Sequence, residues 1–161
     1  MAKIISKLLA ATRNHTTYDI GMLQAKAYRV LKQQTNAALT SRDIGSIHWA
    51  LLGLAYATPK GIRPSEAARE IGVEAPFVTT LAQSLGKLGY VSLVPDPDDS
   101  RAKLICITED GKRFVADTEP YLRGKMKEYL KGISLDDLGT YVVVLERIVA
   151  NASDASKADK S

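Results

Sequence analysis

Thr79, Thr80 and Gln83 lie on one side of a single helical period, with Lys87 beside them, and their hydroxyl and amide groups are chemically suited to reading a nucleic-acid base. A helix turns about 100° per residue. With Val78 at zero, Leu81 and Leu85 fall at about 300° and 340°, and Leu88 and Phe77 at about 280° and 260°. This predicts one buried face. The opposite face carries Pro76, Thr79, Thr80, Gln83, Gly86 and Lys87. Hydroxyl and amide groups exchange hydrogen bonds with base edges, and a Thr methyl can touch the thymine methyl. The free N–H groups at the helix start suit phosphate. No Arg lies on this face, so bidentate pairing with guanine is absent, and affinity and register are expected to come from elsewhere. An ordinary solvated surface has the same pattern, and the surrounding elements must decide between the two.

Other chemistries find little support. Cys106 is the single cysteine, and His15 and His48 lie far apart, so neither a disulfide nor a metal site with familiar ligand spacing is expected. No Ser/His/Asp group, phosphate loop or paired carboxylate in a helical frame appears, so catalysis is not expected and no cofactor is implied. No apolar run approaches the roughly 20 residues that span a bilayer. The apolar run IISKLLAA is interrupted by Lys7 and is too short for a signal peptide core. The expectation is a cytoplasmic protein without membrane contact. Its 161 residues, net charge of +4 and 45% hydrophobic content fit one globular domain with an oligomerisation extension. The mildly basic balance permits nucleic-acid binding without requiring it.

The elements that must position the polar face read as follows. Residues 4–13 form a short amphipathic helix. Thr16 or Thr17 then caps a long one, with Asp19 near its positive end and Ile20, Leu23, Ala27, Val30 and Leu31 as a stripe. That stripe contributes one face and needs a partner. Thr40 to Asp43 is a capping cluster before a core helix from about 44 to 57. Pro64 opens a short helix over 65–71, stopped by Gly72. Pro76 opens another to about Leu88, so the pair is a helix-turn-helix candidate. Tyr90 to Val94 and Ala102 to Ile107 read as strands around a Pro- and Asp-rich loop, 95–100, and form a hairpin wing. Thr108 caps the next helix, which Pro120 should kink or break. Ser134 caps the last, striped by Leu138, Tyr141, Val142, Leu145, Ile148 and Val149. Residues 153–161 are small and polar and are expected to be a disordered tail.

The segment from Pro64 to Val73, then PFVTTLAQSLGKLGYV over 76–91, then DPDDSRAKLICITEDG over 96–111, resembles the MarR family of winged helix-turn-helix transcription regulators. The wing, Asp96 to Ala102 followed by Ile107 to Gly111, is the most specific part. The resemblance covers about residues 44–149. It implies a homodimer with entwined terminal helices that represses from palindromic sites in double-stranded DNA and releases them when a small, often phenolic, effector binds. Carried over, Arg101 matches the wing arginine that enters the minor groove, whose negative potential attracts Arg where it is narrow. Asp99 matches the acid that holds it in place. The alternative for Arg101 is a hairpin ion pair with Asp96, Asp98 or Asp99. Relatives often have a second basic residue where Ser100 stands, a Thr or Ser cap where Arg63 stands, and Arg where Thr80 stands. Arg63, Arg69, Lys87 and Lys103 are the residues expected to compensate.

The expected fold is mainly α with a small β-hairpin wing: dimerisation helices over 1–43 and 108–152, a winged helix-turn-helix domain over 44–107, and the tail. Ser65, Pro76, Thr79, Thr80, Gln83, Lys87, Asp99, Arg101 and Lys103 are the expected DNA contacts. Tyr28, His48, Trp49 and Tyr56 are weaker candidates for an effector pocket, and Cys106 reads as a small hydrophobe on a strand. The rival readings are a winged-helix module used for protein contact or dimerisation without specific DNA binding, and an enzyme. The first predicts an attached catalytic domain, for which this chain is expected to leave no room. The second needs a titratable cluster that the sequence does not show.

Overall fold

The computed structural model describes residues 16–158. The expected helix over 4–13 and His15 lie outside them. Helix α1, Thr17–Leu39, starts at a reciprocal cap: the Asp19 amide donates to Thr16 Oγ1 at 3.2 Å, and the Thr16 amide donates to Asp19 Oδ2 at 3.0 Å. This satisfies two of the amides that a helix start leaves unpaired. Leu39 is buried, whereas Tyr18, Met22, Leu23 and Tyr28 along its length are exposed. The Thr40–Asp43 cluster does not cap the next helix. It forms a 3-10 turn over Thr40–Arg42 that ends at Asp43 with φ +56°. Helix α2, Ser46–Ala57, is capped from the side instead, because Asn36 Oδ1 accepts from the Ser46 amide at 2.7 Å.

Leu51, Leu52 and Ala55 of α2 are buried at the centre of the core. Around them pack helix α3, Pro64–Ile71, through Ala67 and Ala68, and helix α4, Ala75–Lys87, through Val78, Leu81, Ala82 and Leu85. Burial of each such Leu contributes about 1.5–3 kcal/mol. Gly72 closes α3 at φ +76°, a conformation that costs glycine little. Phe77 and Leu88 were expected on the buried face but are 46% and 38% exposed. The buried arc centres near Val78, Ala82 and Leu85, so both residues fall at its edge.

Strands β1, Val91–Asp96, and β2, Asp99–Ile107, pair antiparallel with Val91 opposite Ile107 and Asp96 opposite Asp99. Both strands reach further than the sequence suggested, leaving only Pro97 and Asp98 as the turn, with an irregularity between Pro95 and Asp96. A bridge that sequence reading missed joins Ile62 to Ile105: the Ile62 amide donates to the Ile105 carbonyl at 3.1 Å, and the reverse bond is 2.9 Å. Gly61 allows this approach. It sits at φ +88°, and a Cβ there would lie 2.6 Å from Cys106 Sγ.

Helix α5, Glu109–Tyr129, begins at Thr108, whose Oγ1 accepts from the Gly111 amide at 3.0 Å and donates to the Gly89 carbonyl at 2.6 Å. Phe114 of α5 stacks on Tyr90 with ring centres 4.3 Å apart and meets the Trp49 ring edge-on at 6.4 Å. The helix continues through Pro120 without a break. The chain divides after Leu122 into two compact units. In the second, Ser134 Oγ accepts from the Asp137 amide at 3.0 Å and starts helix α6, Leu135–Ala158. Much of its apolar stripe stays exposed, Val149 at 70% and Tyr141 at 52%, with Leu138 half-buried. The expected tail is helical as far as Ala158, since extending a formed helix adds one hydrogen bond per residue without a new nucleus. The architecture is a mainly helical winged-helix fold with one two-stranded hairpin. Among the described residues, no helix is long and apolar enough to cross a membrane.

Candidate nucleic-acid interface

The outward side of α4 carries Pro76, Thr80, Gln83 and Lys87, all exposed, with Thr79 half-buried beside them. Thr79 Oγ1 donates to the Ala75 carbonyl and Thr80 Oγ1 to the Pro76 carbonyl, each at 3.2 Å. With its hydrogen committed to its own helix, a Thr hydroxyl offers an acceptor lone pair beside a methyl group. That combination suits an exocyclic amine or a thymine methyl better than a carbonyl. Ser65 is exposed in the first turn of α3.

The wing supplies the cations. Arg101 and Lys103 are exposed on β2. Asp99 Oδ1 accepts from the Arg101 backbone amide at 3.0 Å, so it fixes the chain from which the guanidinium extends. Asp96 is 5% exposed. One of its oxygens accepts from the Asp98 amide at 2.9 Å and the other from Arg63 Nε at 2.6 Å. The Asp98 amide first, and then the Arg63 guanidinium, hold the Asp96 carboxyl below the usual carboxylate range. The same pairing raises the Arg63 guanidinium. A concentration of acid at the wing tip, which would repel phosphate, is thereby partly neutralised.

These contacts redistribute the basic residues expected to face phosphate. Arg63 Nε is committed to Asp96, and Arg69 Nε lies 3.7 Å from Glu70 Oε1 on the surface. Lys87 and Lys103 are exposed. The Arg63–Asp96 pair was not legible in advance because the two residues are 33 positions apart. The only signal was that an arginine stood where a small cap is usual.

A groove of about 510 Å³ lies among α1, α2 and α3. Tyr28, Lys32 and Thr35 line it from α1, Ile47 and Leu54 from α2, and Glu70 from α3. Lys32 Nζ stands 5.6 Å from the centre of the Tyr28 ring. Of the four effector candidates, Tyr28 lines this groove. Trp49 packs on Phe114, Tyr56 is 50% exposed, and His48 Nδ1 accepts from the Gly45 amide at 3.4 Å. Burial lowers the His48 imidazole below its ordinary value. Lys32 and Thr35 follow Tyr28 on one helix face at intervals of four and seven residues, a spacing that could have marked them. Among the described residues, no group of His, Cys, Asp and Glu could hold a metal ion.

The family model for the MarR family matches residues 35–102, from the end of α1 to the start of β2. A MarR-family transcriptional regulator from Rhodococcus sp. RHA1 is similar in structure with TM-score 0.77 and 24% identity, over 84% of this chain and 95% of that one. CouR from Rhodococcus jostii RHA1, solved bound to p-coumaroyl-CoA, gives 0.76 and 26% over 81% and 92%. A MarR mutant from E. coli complexed with operator DNA gives 0.72 and 21% over 80% and 92%, a likeness of fold. The family match spans the helix-turn-helix and the hairpin as far as Ala102, and the likeness to solved structures extends over 84% of the chain, so this chain is similar to MarR-family regulators in sequence over that region and in fold beyond it.

Proposed function

We propose that the chain is a homodimeric, sequence-specific DNA-binding transcription regulator that represses until a small aromatic or carboxylate effector releases it. One observation carries the reading: a rigid helix presents small polar side chains outward beside a wing whose tip exposes Arg101. In this reading residues 44–107 bind DNA, and the helices over 1–43 and 108–152 dimerise. Apolar side chains left in solvent on α1 and α6 support dimerisation, since a second copy can cover Leu23 at 60% exposure and Val149 at 70%. Two recognition helices would then enter successive major grooves, with half-sites about one turn apart, roughly 34–36 Å. The groove beside Tyr28 supports the effector, because its apolar walls suit an aromatic ring and Lys32 suits a carboxylate. CouR, 26% identical, holds the thioester of an aromatic acid.

The test is selection of duplexes from a random pool, followed by titration of the selected and a scrambled duplex at rising salt. The proposal predicts a palindrome bound about 10³-fold or more above the scrambled sequence. Equal binding of both, or of neither, would favour the rival use of the winged helix as a protein-contact module.

A further inference from the structure

We propose that Arg63 and Asp96 form a strut that sets the pitch of the wing and so delivers Arg101 to the minor groove. The inference rests on the DNA-binding reading above. The base of the wing packs into the core through Val91 and Ile105, and the segment that opens α3 ties to the hairpin at two further points. The inner one is the backbone bridge between Ile62 and Ile105. The outer one is the Arg63–Asp96 ion pair. Ile105 lies opposite Leu93, three residues before Asp96 on β1, so the two attachments are about 10 Å apart along the hairpin. The core packing and the bridge hold the base of the hairpin, and the ion pair holds its outer end, where Arg101 is carried. The helix side of the strut is itself anchored, because the Arg63 amide donates to Glu66 Oε2 at 3.3 Å as α3 begins.

The strut connects to the groove-reading residue. Asp96 pairs across the strand ends with Asp99, and Asp99 holds the Arg101 amide. A shift of Asp96 therefore moves the backbone that carries Arg101. Burial of one end makes the strut costly to break: a carboxylate with 5% exposure must keep its partners, and it has the Asp98 amide on one oxygen and Arg63 on the other. Arg63 and Asp96 are thus positioning residues that act through Arg101.

Asp96→Asn is the discriminating variant. Its remaining carbonyl oxygen can still accept from the Asp98 amide, so the turn survives while an N–H faces Arg63. With the full-length protein on its selected duplex, Asp96→Asn and Arg63→Ala should each weaken binding by about 5- to 20-fold, and no more than Arg101→Ala does. Arg63→Lys, which keeps the charge, should retain most of the affinity. In an Arg101→Ala background, both strut variants should have no further effect. An unchanged affinity in the wild-type background overturns the strut. So does a loss that persists undiminished beside Arg101→Ala, which for Arg63→Ala alone would mean a direct phosphate contact. Circular dichroism checks folding, and if Asp96→Asn is unfolded the two Arg63 variants carry the same test. Wild-type protein that binds no duplex, or Arg101→Ala that binds normally, shows the failure to lie in the DNA-binding reading, and the strut falls with it.

Discussion

The recognition helix and the wing solve one problem, holding side chains at a fixed place, by opposite means. Helix α4 is held by apolar burial through Val78, Leu81, Ala82 and Leu85. The tip of the wing is held by polar contacts: Arg63 on Asp96, and Asp99 on the Arg101 amide. Burial is non-directional, so the helix keeps its position as long as its volume is filled. Ion pairs and hydrogen bonds are directional, so a single atom changed at the wing tip can re-aim Arg101 without loosening the core. The helix should therefore fail by unfolding, and the wing by losing DNA.

Core truncation should give the largest effect. Leu85→Ala leaves a void at a fully buried site and should cost about 2–5 kcal/mol in denaturant unfolding. A cost under 1 kcal/mol would show that α4 is not held by its buried face. Arg101→Ala should cost about 1–3 kcal/mol of DNA affinity while the unfolding midpoint stays in place; a loss of stability in proportion would erase the contrast between the two regions. Thr16→Ala removes the side-chain cap of α1 and should cost about 1 kcal/mol of stability, with no effect on DNA affinity beyond that of any weakened dimer. Lys87→Ala should lower the salt slope of binding by about one while leaving sequence preference intact. A changed preference would make Lys87 a base contact.

Acid offers a further probe. The folded state holds Asp96 below the ordinary carboxylate value of 3.8, so the unfolded chain takes up this proton first as pH falls. The stability contributed by Asp96 is then present above that value and is lost as pH falls through the lower, folded one. Asp96→Asn should remove this part of the acid sensitivity, as read from unfolding midpoints between neutral and acid pH. Identical pH profiles for the two proteins would contradict the pairing.

The difference between the regions also explains what could be read in advance. The apolar period of α4 and the Gly and Pro punctuation at Pro64, Gly72 and Gly89 are local signals, and they placed the helix-turn-helix within a residue or two. Phe77 and Leu88 were misjudged because a wheel gives angle but not the width of the buried arc. The wing was harder. Its Pro- and Asp-rich stretch looks like a long loop, yet Asp96 and Asp99 pair and leave a two-residue turn. The contact that pins Asp96 comes from Arg63, across intervening helices, where periodicity carries no information. The groove around Tyr28 was likewise only partly legible, since its walls come from three helices whose packing sets the facing residues.

Sedimentation of the protein with its selected palindromic duplex tests the central claim most directly. The account predicts two chains on each duplex, one per half-site, and a dimer before DNA is added. A single protomer in solution that forms no complex of that stoichiometry would contradict it.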